Sequence, residues 1–271
     1  MRSRQVAEVA YSEGEPKVAV TSDKGETITA ERVIVCVPQN ILRDAEIKFH
    51  PAVPPQQAQA LAKISMGNAM KIVVKLSKRV WPDDLWDCVC ADSFIPEVRP
   101  PSPFASHALA QDHTDGVHCT SCQIWVSPAA AVLSGEDMGG EFIIVGFVAG
   151  SRADRLRDMS KEHKTRLMLS QLDAMFGSQN EPNPASKHFV DSMVKDWGVD
   201  PLFRGAYSHP TVDGREARVL MSTPLGNRVF FAGEAMNANI NPCINGAMES
   251  ASAATKAVMQ SIHGPKHTAK L

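Results

Sequence analysis

The segment that decides the fold is RVFFAGEAMNANINPCINGAMESASAAT, residues 228–255. Its first residues are mostly apolar and predict a short buried strand that ends at Gly233-Glu234. After a loop, small residues predict a helix from about Gly246 to Ile262. One face of that helix carries Ala247, Ala251, Ala254 and Val258. Such a face can pack closely against a sheet.

This strand, loop and helix could hold an anionic or electron-rich cofactor. The N-terminus of a helix has unpaired N–H donors and the positive end of the helix dipole. Gly246 allows the backbone to come close to a bound group, and Glu234 could accept hydrogen bonds from ribose-like hydroxyls. The alternative is an ordinary strand, loop and helix with a solvated glutamate, since Gly-Glu is a common dipeptide.

The N-terminal residues 5–37 predict strands separated by turns. The turn signals are Gly14-Glu15-Pro16 and Asp23-Lys24-Gly25. The last strand leads into the run 33–37 (VIVCV), whose continuous apolar character is typical of a strand buried on both faces. Pro38 ends that strand because proline cannot extend a central ladder.

The middle of the chain alternates clear and unclear patterns. Residues 71–76 and 141–150 predict strands, and residues 187–195 are strand-like. Ser160 can cap a helix that Gly177 ends. Its apolar face consists of Met168, Leu172, Met175 and Phe176. Residues 43–60 are polar and proline-rich, and the pattern of residues 82–124 indicates loops and short strands.

The composition excludes several classes of protein. The chain has 271 residues, a net charge of −2, 44% hydrophobic residues and 21% charged residues, the profile of a soluble globular protein. It lacks the concentrated basic surface of a nucleic-acid binder. The longest strongly apolar run, residues 142–149, is too short for a membrane span. Six cysteines and no apolar leader predict reduced thiols inside a cell.

Four blocks of sequence, in order along the chain, resemble the FAD-dependent amine oxidases, a family that includes polyamine oxidases, monoamine oxidases and flavin histone lysine demethylases. The blocks are TITAERVIVCVPQNIL (27–42), GNAMKIVVKL (67–76), WGVDPLFRGAYSHP (197–210) and VFFAGEA (229–235) with NGAMESASAA (245–254). Together they span most of the chain. Four blocks in family order are far more specific than any one motif.

The resemblance implies a set of cofactor contacts. Val6 matches a valine near the adenine, Pro38 the proline after a strand of the dinucleotide-binding half, and Trp197 a tryptophan packed close to the flavin. Gly233 and Glu234 match residues at the ribityl and diphosphate region, and Ile244 matches a backbone N–H at the flavin pyrimidine carbonyl. Residues 204–210 lack the cysteine that links flavin covalently in monoamine oxidases. Noncovalent FAD is therefore expected.

The resemblance also implies catalytic and substrate contacts. Lys71 matches the lysine that holds a water against flavin N5, where a buried cation favours the reduced, anionic ring. The alternative for Lys71 is an exposed strand lysine, like Lys75. Tyr207 matches one wall of the aromatic pocket for the amine, whereas the second wall falls on Ile240 and a small polar position on Cys243. Half of an aromatic cage leaves the identity of the amine open.

The expected fold is mixed α/β, as part of a two-lobed flavoprotein. An incomplete Rossmann-like FAD lobe is expected at residues 1–42 and 212–263, a mixed-sheet substrate lobe at 43–211, and a flexible tail at 264–271. The G-x-G-x-x-G turn that family members carry at their N-terminus is absent from the 271 residues. The sequence therefore resembles the C-terminal part of an amine oxidase.

The resemblance implies an enzyme that oxidises an amine, with a polyamine favoured, by passing a hydride from the carbon next to nitrogen to flavin N5. Oxygen then reoxidises the flavin and gives hydrogen peroxide. Two alternatives remain open: a truncated or degenerate paralogue without catalysis, and another flavin oxidoreductase of the same fold, of the desaturase or protoporphyrinogen oxidase type. The oligomeric state is open as well.

Two further signals lie outside the four blocks. Cys119-x-x-Cys122, with Cys88, Cys90 and two histidines nearby, could supply zinc ligands, but a single C-x-x-C is a weak motif and no metal site is expected. The last three residues, Ala269-Lys270-Leu271, are a conservative variant of the peroxisomal Ser-Lys-Leu address. They predict a peroxisomal location, with the cytoplasm as the alternative.

Overall fold

The computed structural model describes residues 5–12, 14–82, 88–89, 97–99, 125–127, 142–209, 211–239 and 243–263. The strands, in chain order, are β1 (Val6–Ala10), β2 (Val18–Ser22), β3 (Thr27–Ala30), β4 (Val33–Val35), β5 (Lys48–His50), β6 (Ser65–Gly67), β7 (Ala69–Leu76), β8 (Cys88–Val89), β9 (Glu97–Arg99), β10 (Trp125–Ser127), β11 (Phe142–Ala149), β12 (Phe189–Asp196), β13 (Tyr207–His209) and β14 (Val229–Phe231).

The helices are α1 (Gln39–Arg43), α2 (Pro55–Lys63), α3 (Ser151–Leu156), α4 (Lys161–Phe176), α5 (Pro184–Lys187), α6 (Gly214–Met221) and α7 (Ile244–His263), and a 3₁₀ turn covers Glu234–Met236. None of the helices in these described ranges combines the length and the apolar character that a membrane crossing requires. The mixture of helices and strands agrees with the predicted mixed α/β class.

The chain divides into two compact units, Met1–Gly67 with Asp200–Leu271 and Asn68–Val199. The sequence placed the first boundary at residue 42 and the second at 211. The boundaries lie at residues 67 and 199 instead because two connecting segments make their contacts within unit 1. Asn40 Nδ2 donates to the Phe203 carbonyl at 2.7 Å, and β13 pairs with β6. Neither contact is apparent from composition.

Unit 1 contains three small sheets. Strands β3, β2, β1 and β5 form one sheet in that order, with β1 antiparallel to β2 and parallel to β5. The turn at Gly25, with φ of 78°, joins β2 to β3 as the sequence predicts. Strands β4 and β14 are parallel neighbours, and β13 is antiparallel to β6. The apolar core of unit 1 includes Val18, Leu61 and Phe231.

Two expectations for unit 1 differ from the structure. The run 33–37 was expected to be buried on both faces, but Ile34 is 40% exposed, because β4 has only β14 as a neighbour in the described part of the chain. The proline-rich residues 43–60 contain β5 and most of α2. Pro54 and Pro55 stand at the beginning of α2, where proline is compatible with a helix.

Unit 2 is built on an antiparallel sheet in which β7 lies between β12 and β11. Helix α4 covers one face of the sheet, and its apolar core includes Met70, Ile144 and Met168. The predicted cap of α4 is present, since Ser160 Oγ accepts a hydrogen bond from the His163 N–H at 3.2 Å. The helix ends at Gly177, as the sequence predicts.

The C-terminal helix α7 follows the prediction in its extent and departs from it in its packing. Its buried residues are Gly246, Ser250 and Ala254, whereas Ala251 of the predicted packing face is exposed. The buried face of α7 differs from the predicted one because Ser250 is hydrogen-bonded to Gly233, which follows β14. The tail after residue 263, including Ala269 to Leu271, lies outside the described residues, as do Cys119 and Cys122.

Candidate functional site

The candidate site in unit 1 begins where the parallel strands β4 and β14 end. Parallel strands place their carboxyl ends at one edge of a sheet, and ligands of open α/β sheets bind at that edge. Pro38, three residues after β4, directly precedes α1. Gly233, two residues after β14, has φ of +138°. Because side chains strongly disfavour this φ, the turn after β14 requires glycine.

Side chains hold the turn after Gly233 from several directions. Ser250 Oγ of α7 accepts from the Gly233 N–H at 2.9 Å and donates to its carbonyl at 2.8 Å. Ser222 Oγ donates to the Met236 carbonyl at 2.9 Å. Asn237 Nδ2 donates to the Gly246 carbonyl at 3.1 Å, which keeps the turn beside the beginning of α7. The turn is therefore fixed to the helix that follows it.

Glu234 is hydrogen-bonded rather than simply solvated. Its Oε1 accepts from the Ser208 N–H at 3.0 Å, and its Oε2 accepts from the Ser208 hydroxyl at 2.6 Å. Ser208 lies on β13 and is fully buried. Each carboxylate oxygen can accept a second hydrogen bond. The half-buried carboxylate thus has a defined orientation and still has acceptor capacity for a bound hydroxyl.

Arg218 of α6 is a residue of this site that the sequence argument missed. Its side chain is 5% exposed, and it donates to the carbonyls of Ala235 at 3.0 Å and Glu234 at 3.4 Å. Burial lowers the pKa of this guanidinium, while the negative charge of Glu234 acts in the opposite direction. A spacing argument cannot find this residue, because arginine is mostly exposed and its burial depends on the tertiary fold.

Tyr207, the predicted aromatic wall, lies on β13 beside Ser208. Its ring is half-buried and approaches Gly67 of β6, since a Cβ built at Gly67 would come within 3.9 Å of the Tyr207 ring. Ile240, the predicted second wall, lies outside the described residues. The side chain of Cys243 is exposed, and its Sγ lies 2.7 Å from Asn245 Oδ1. Ile244, the first residue of α7, is 81% exposed.

Val6 lies apart from the parallel strand pair in sheet order. It is the first residue of β1 and pairs with Ser22 of β2. Its side chain is 39% exposed. Val6 thus belongs to the four-stranded sheet of unit 1. Its contact with an adenine stays a prediction.

Unit 2 has its own group of candidate residues, on the face of the sheet that carries Lys71. Lys71 is on β7, between Phe147 of β11 and Lys195 of β12 in the strand register. Residues directly opposite on adjacent strands share a face of the sheet. Lys71, Phe147 and Lys195 therefore form one row. Lys71 is exposed, whereas the family resemblance implied a buried cation.

Lys195 and Trp197 are also in contact. The Lys195 ammonium lies 4.7 Å from the centroid of the Trp197 ring, within the range of a cation–π interaction. Trp197 is half-buried, and its backbone N–H donates to the Ala69 carbonyl at 3.1 Å. Sequence reasoning missed Lys195, although the alternation of side chains along a strand, taken with the pairing of β12 and β7, would have placed it beside Lys71.

Comparison with known proteins places the chain among flavoproteins. A family model described as flavin containing amine oxidoreductase matches residues 2–259. A probable polyamine oxidase 4 of Arabidopsis thaliana is 26% identical over 232 residues, which are 85% of this chain and 39% of that protein. A lysine-specific histone demethylase 2 of Homo sapiens is 25% identical over 232 residues, 85% of this chain and 25% of that protein.

Solved structures show the same fold. A putrescine oxidase bound to putrescine superposes with a TM-score of 0.66 and 20% identity, covering 96% of this chain and 47% of that one. A cyclohexylamine oxidase from Brevibacterium oxydans gives a TM-score of 0.65 and 18% identity, with 95% and 48% covered. The chain thus spans about half the length of these structures, and 39% of the plant polyamine oxidase.

Proposed function

The chain belongs to the family of flavin-containing amine oxidoreductases, and from that membership we propose that it takes part in the FAD-dependent oxidation of an amine. The observation that carries the proposal is the turn at Gly233 and Glu234. The side chains of Arg218, Ser222 and Ser250 hold this turn through hydrogen bonds, at the carboxyl end of a parallel strand pair. That edge is where open α/β sheets bind their ligands.

The residues around the turn fit a flavin cofactor. A Cβ built on Gly233 would meet no atom of the described residues within 4 Å, so among these residues a bound group can approach the backbone there. Helix α7 has 20 residues and begins beside the turn, and its first N–H groups favour negative charge or a carbonyl oxygen. When bound, FAD supplies the redox chemistry by accepting the two electrons that leave the amine.

In this proposal the residues of unit 1 bind and orient. Glu234, held by Ser208, presents its remaining lone pairs to hydroxyls of the cofactor. Gly233 lets the backbone approach the cofactor, and the α7 N-terminus provides N–H donors at Ile244. Tyr207 provides an aromatic face for the amine. Its position beside Ser208 on β13 supports this role.

The residues of unit 2 provide charge. Lys71 holds a water molecule and presents a cation, which favours electron gain nearby. Trp197 provides a flat apolar surface, and its contact with Lys195 restrains both side chains. These roles rest on the family resemblance of GNAMK and of the tryptophan segment, together with the row that Lys71 forms with Lys195.

The reaction that these groups would serve is balanced as follows. The amine loses a hydride equivalent from the carbon next to nitrogen and a proton from the nitrogen, and becomes an imine. Water hydrolyses the imine to a carbonyl compound and an amine. Oxygen takes up the two electrons with two protons and becomes hydrogen peroxide. A polyamine is the proposed substrate class, supported by the similarity to plant polyamine oxidases and by the fold shared with a putrescine oxidase.

The purified chain tests the proposal by titration with FAD and by peroxide release. We expect the fluorescence of added FAD to change saturably, and peroxide to appear when putrescine, spermidine or spermine is supplied. Benzylamine, a monoamine, serves as the comparison substrate. Flavin binding without peroxide from any amine would favour another oxidoreductase of the same fold. Absence of both would favour a paralogue without catalysis.

A further inference from the structure

The side chain of Arg218 is buried in unit 1 and has no role in the reaction described above. It is 5% exposed, and its guanidinium donates to the carbonyls of Ala235 at 3.0 Å, Glu234 at 3.4 Å and His209 at 3.4 Å. A charged group loses a large hydration energy on burial unless hydrogen bonds replace the water. The hydrogen-bond partners of Arg218 therefore indicate the role of the buried side chain.

These partners belong to the two segments that build the Glu234 site. Ala235 and the Glu234 backbone form the 3₁₀ turn that carries the carboxylate. His209 is the last residue of β13 and follows Ser208, which donates both hydrogen bonds to that carboxylate. Arg218 thus links the segment of the acceptor to the segment of the donor. A movement of either segment would change the bonds of 3.0 Å and 2.6 Å between Ser208 and Glu234.

The acceptors of the Arg218 side chain are all of one kind. In the described part of the chain its N–H groups donate to carbonyl oxygens and not to carboxylates. Burial lowers the pKa of the guanidinium, and the negative charge of Glu234 acts in the opposite direction. Arg218 therefore acts on the turn through the geometry of its hydrogen bonds.

We propose that Arg218 is a positioning residue for flavin binding: it holds the Gly233–Met236 turn against β13. This inference rests on the proposed function, because it assumes that Glu234 contacts FAD. The planar fork of arginine donates to several carbonyls at once, whereas a lysine ammonium is a point charge on a flexible stem. Lysine at this position would retain the charge and lose most of the fixed geometry.

The test compares Arg218→Met and Arg218→Lys with the control Arg228→Met. Arg228 also donates to carbonyls, those of Pro16 and Glu31, away from the turn. We expect Arg218→Met to weaken FAD binding about tenfold or more, with a smaller loss for Arg218→Lys. In the flavin-free chain, the amides of Met236 and Asn237 should exchange faster in both Arg218 variants. Arg228→Met should alter neither quantity by more than about twofold.

A double-mutant cycle separates positioning from general stabilisation. Ser208→Ala removes the hydroxyl donor of Glu234. If Arg218 acts through that contact, the effects of Arg218→Lys and Ser208→Ala on FAD affinity are not additive. Additive effects, or wild-type FAD affinity in Arg218→Lys and Arg218→Met, would overturn the inference and leave the proposed function intact. Circular dichroism checks folding, and Arg218→Lys carries the test if Arg218→Met does not fold.

The two proposals fail in different ways. If the wild-type chain binds no FAD, the proposed function is contradicted and the flavin part of this inference fails with it. Amide exchange in the flavin-free variants still decides whether Arg218 holds the turn. Unchanged exchange at Met236 and Asn237 in both variants would show that it does not.

Discussion

At the scale of single residues, the candidate site in unit 1 depends on a glycine and on two charged side chains. Glu234 accepts hydrogen bonds from Ser208, and Arg218 donates to backbone carbonyls. Gly233 is required by its φ of +138°, and Glu234 is oriented by Ser208. The sequence predicted both residues because they end a recognisable apolar strand. It could not predict Arg218, since nothing in GREARVLM distinguishes the buried arginine from its exposed neighbour Arg215. Burial of a charged side chain is decided by distant segments.

Replacement of Lys71 tests the role proposed for the residues of unit 2. Lys71→Met removes the cation, and we expect amine-dependent peroxide production to fall by about a hundredfold or more. Lys75→Met is the matched control. Lys75 is also on β7, four residues after Lys71, and side chains alternate along a strand, so the two lysines share one face of the sheet. We expect the control to retain activity within about twofold. Equal rates in wild type and Lys71→Met would contradict the role of Lys71.

Replacement of Glu234 tests the role proposed for the residues of unit 1. Glu234→Gln replaces one carboxylate oxygen with an NH2 group. This group is a donor and would face a donor of Ser208. FAD affinity should fall by about ten- to a hundredfold, since an unsatisfied polar group costs about 1–3 kcal/mol. Fluorescence titration with FAD measures the change. Glu31→Gln, at an exposed side chain, should bind FAD like the wild type, and an equally tight Glu234→Gln would exclude a direct flavin contact.

At the scale of elements, the sequence predicted the helix ends and strands that depend on residues close together in the chain. The cap at Ser160, the end of α4 at Gly177 and the strands β7 and β11 follow from residues close together in sequence. The buried line of α7 could not be predicted, because it depends on the contact between Ser250 and Gly233. Helix α2 was missed because its prolines resemble a loop, although proline suits the first turn of a helix.

The cap of α4 provides a stability test. Ser160→Ala removes the acceptor of the His163 N–H, which lies 3.2 Å away. We expect the free energy of unfolding to fall by about 1 kcal/mol. Urea denaturation followed by circular dichroism measures it. Ser170→Ala, an exposed site inside the same helix, should leave stability unchanged or slightly increased, so a similar loss in both variants would argue against the cap.

A charge cluster that joins three segments of unit 2 predicts a dependence on pH. Glu181 accepts from Lys187 at 2.7 Å, Lys78 at 3.1 Å and His188 at 3.2 Å. The hydrogen bond with Lys187 contributes most, and together these bonds lower the pKa of Glu181 from 4.5 to about 2. A lowered pKa stabilises the folded state above the unfolded value of 4.5, and that stabilisation is lost as the pH falls towards 2.

Glu181→Gln should therefore reduce stability at pH 7 and have a smaller effect near pH 3. Urea denaturation at the two pH values measures the difference between variant and wild type. The effect is modest because the cluster is partly exposed and salt screens it. Glu31→Gln is again the control. A difference that stays constant between the two pH values would show that the cluster does not hold the pKa down.

At the scale of the whole molecule, the chain forms two compact units, each with its own apolar core. Unit 1 carries the Gly233–Glu234 turn with its support from Arg218, and unit 2 carries Lys71 in a row with Lys195. The four blocks of the family resemblance fall into both units. The exact division did not follow from composition, because the segments 43–67 and 200–211 make their contacts within unit 1.

Titration of the purified wild-type chain with FAD is the most direct test of the central claim, that the turn at Gly233 and Glu234 is a flavin site. We expect saturable binding, with a dissociation constant that rises by about tenfold or more in Glu234→Gln and does not change in Glu31→Gln. A wild-type chain that does not bind FAD, or one that binds it equally well with and without the Glu234 carboxylate, would contradict the claim.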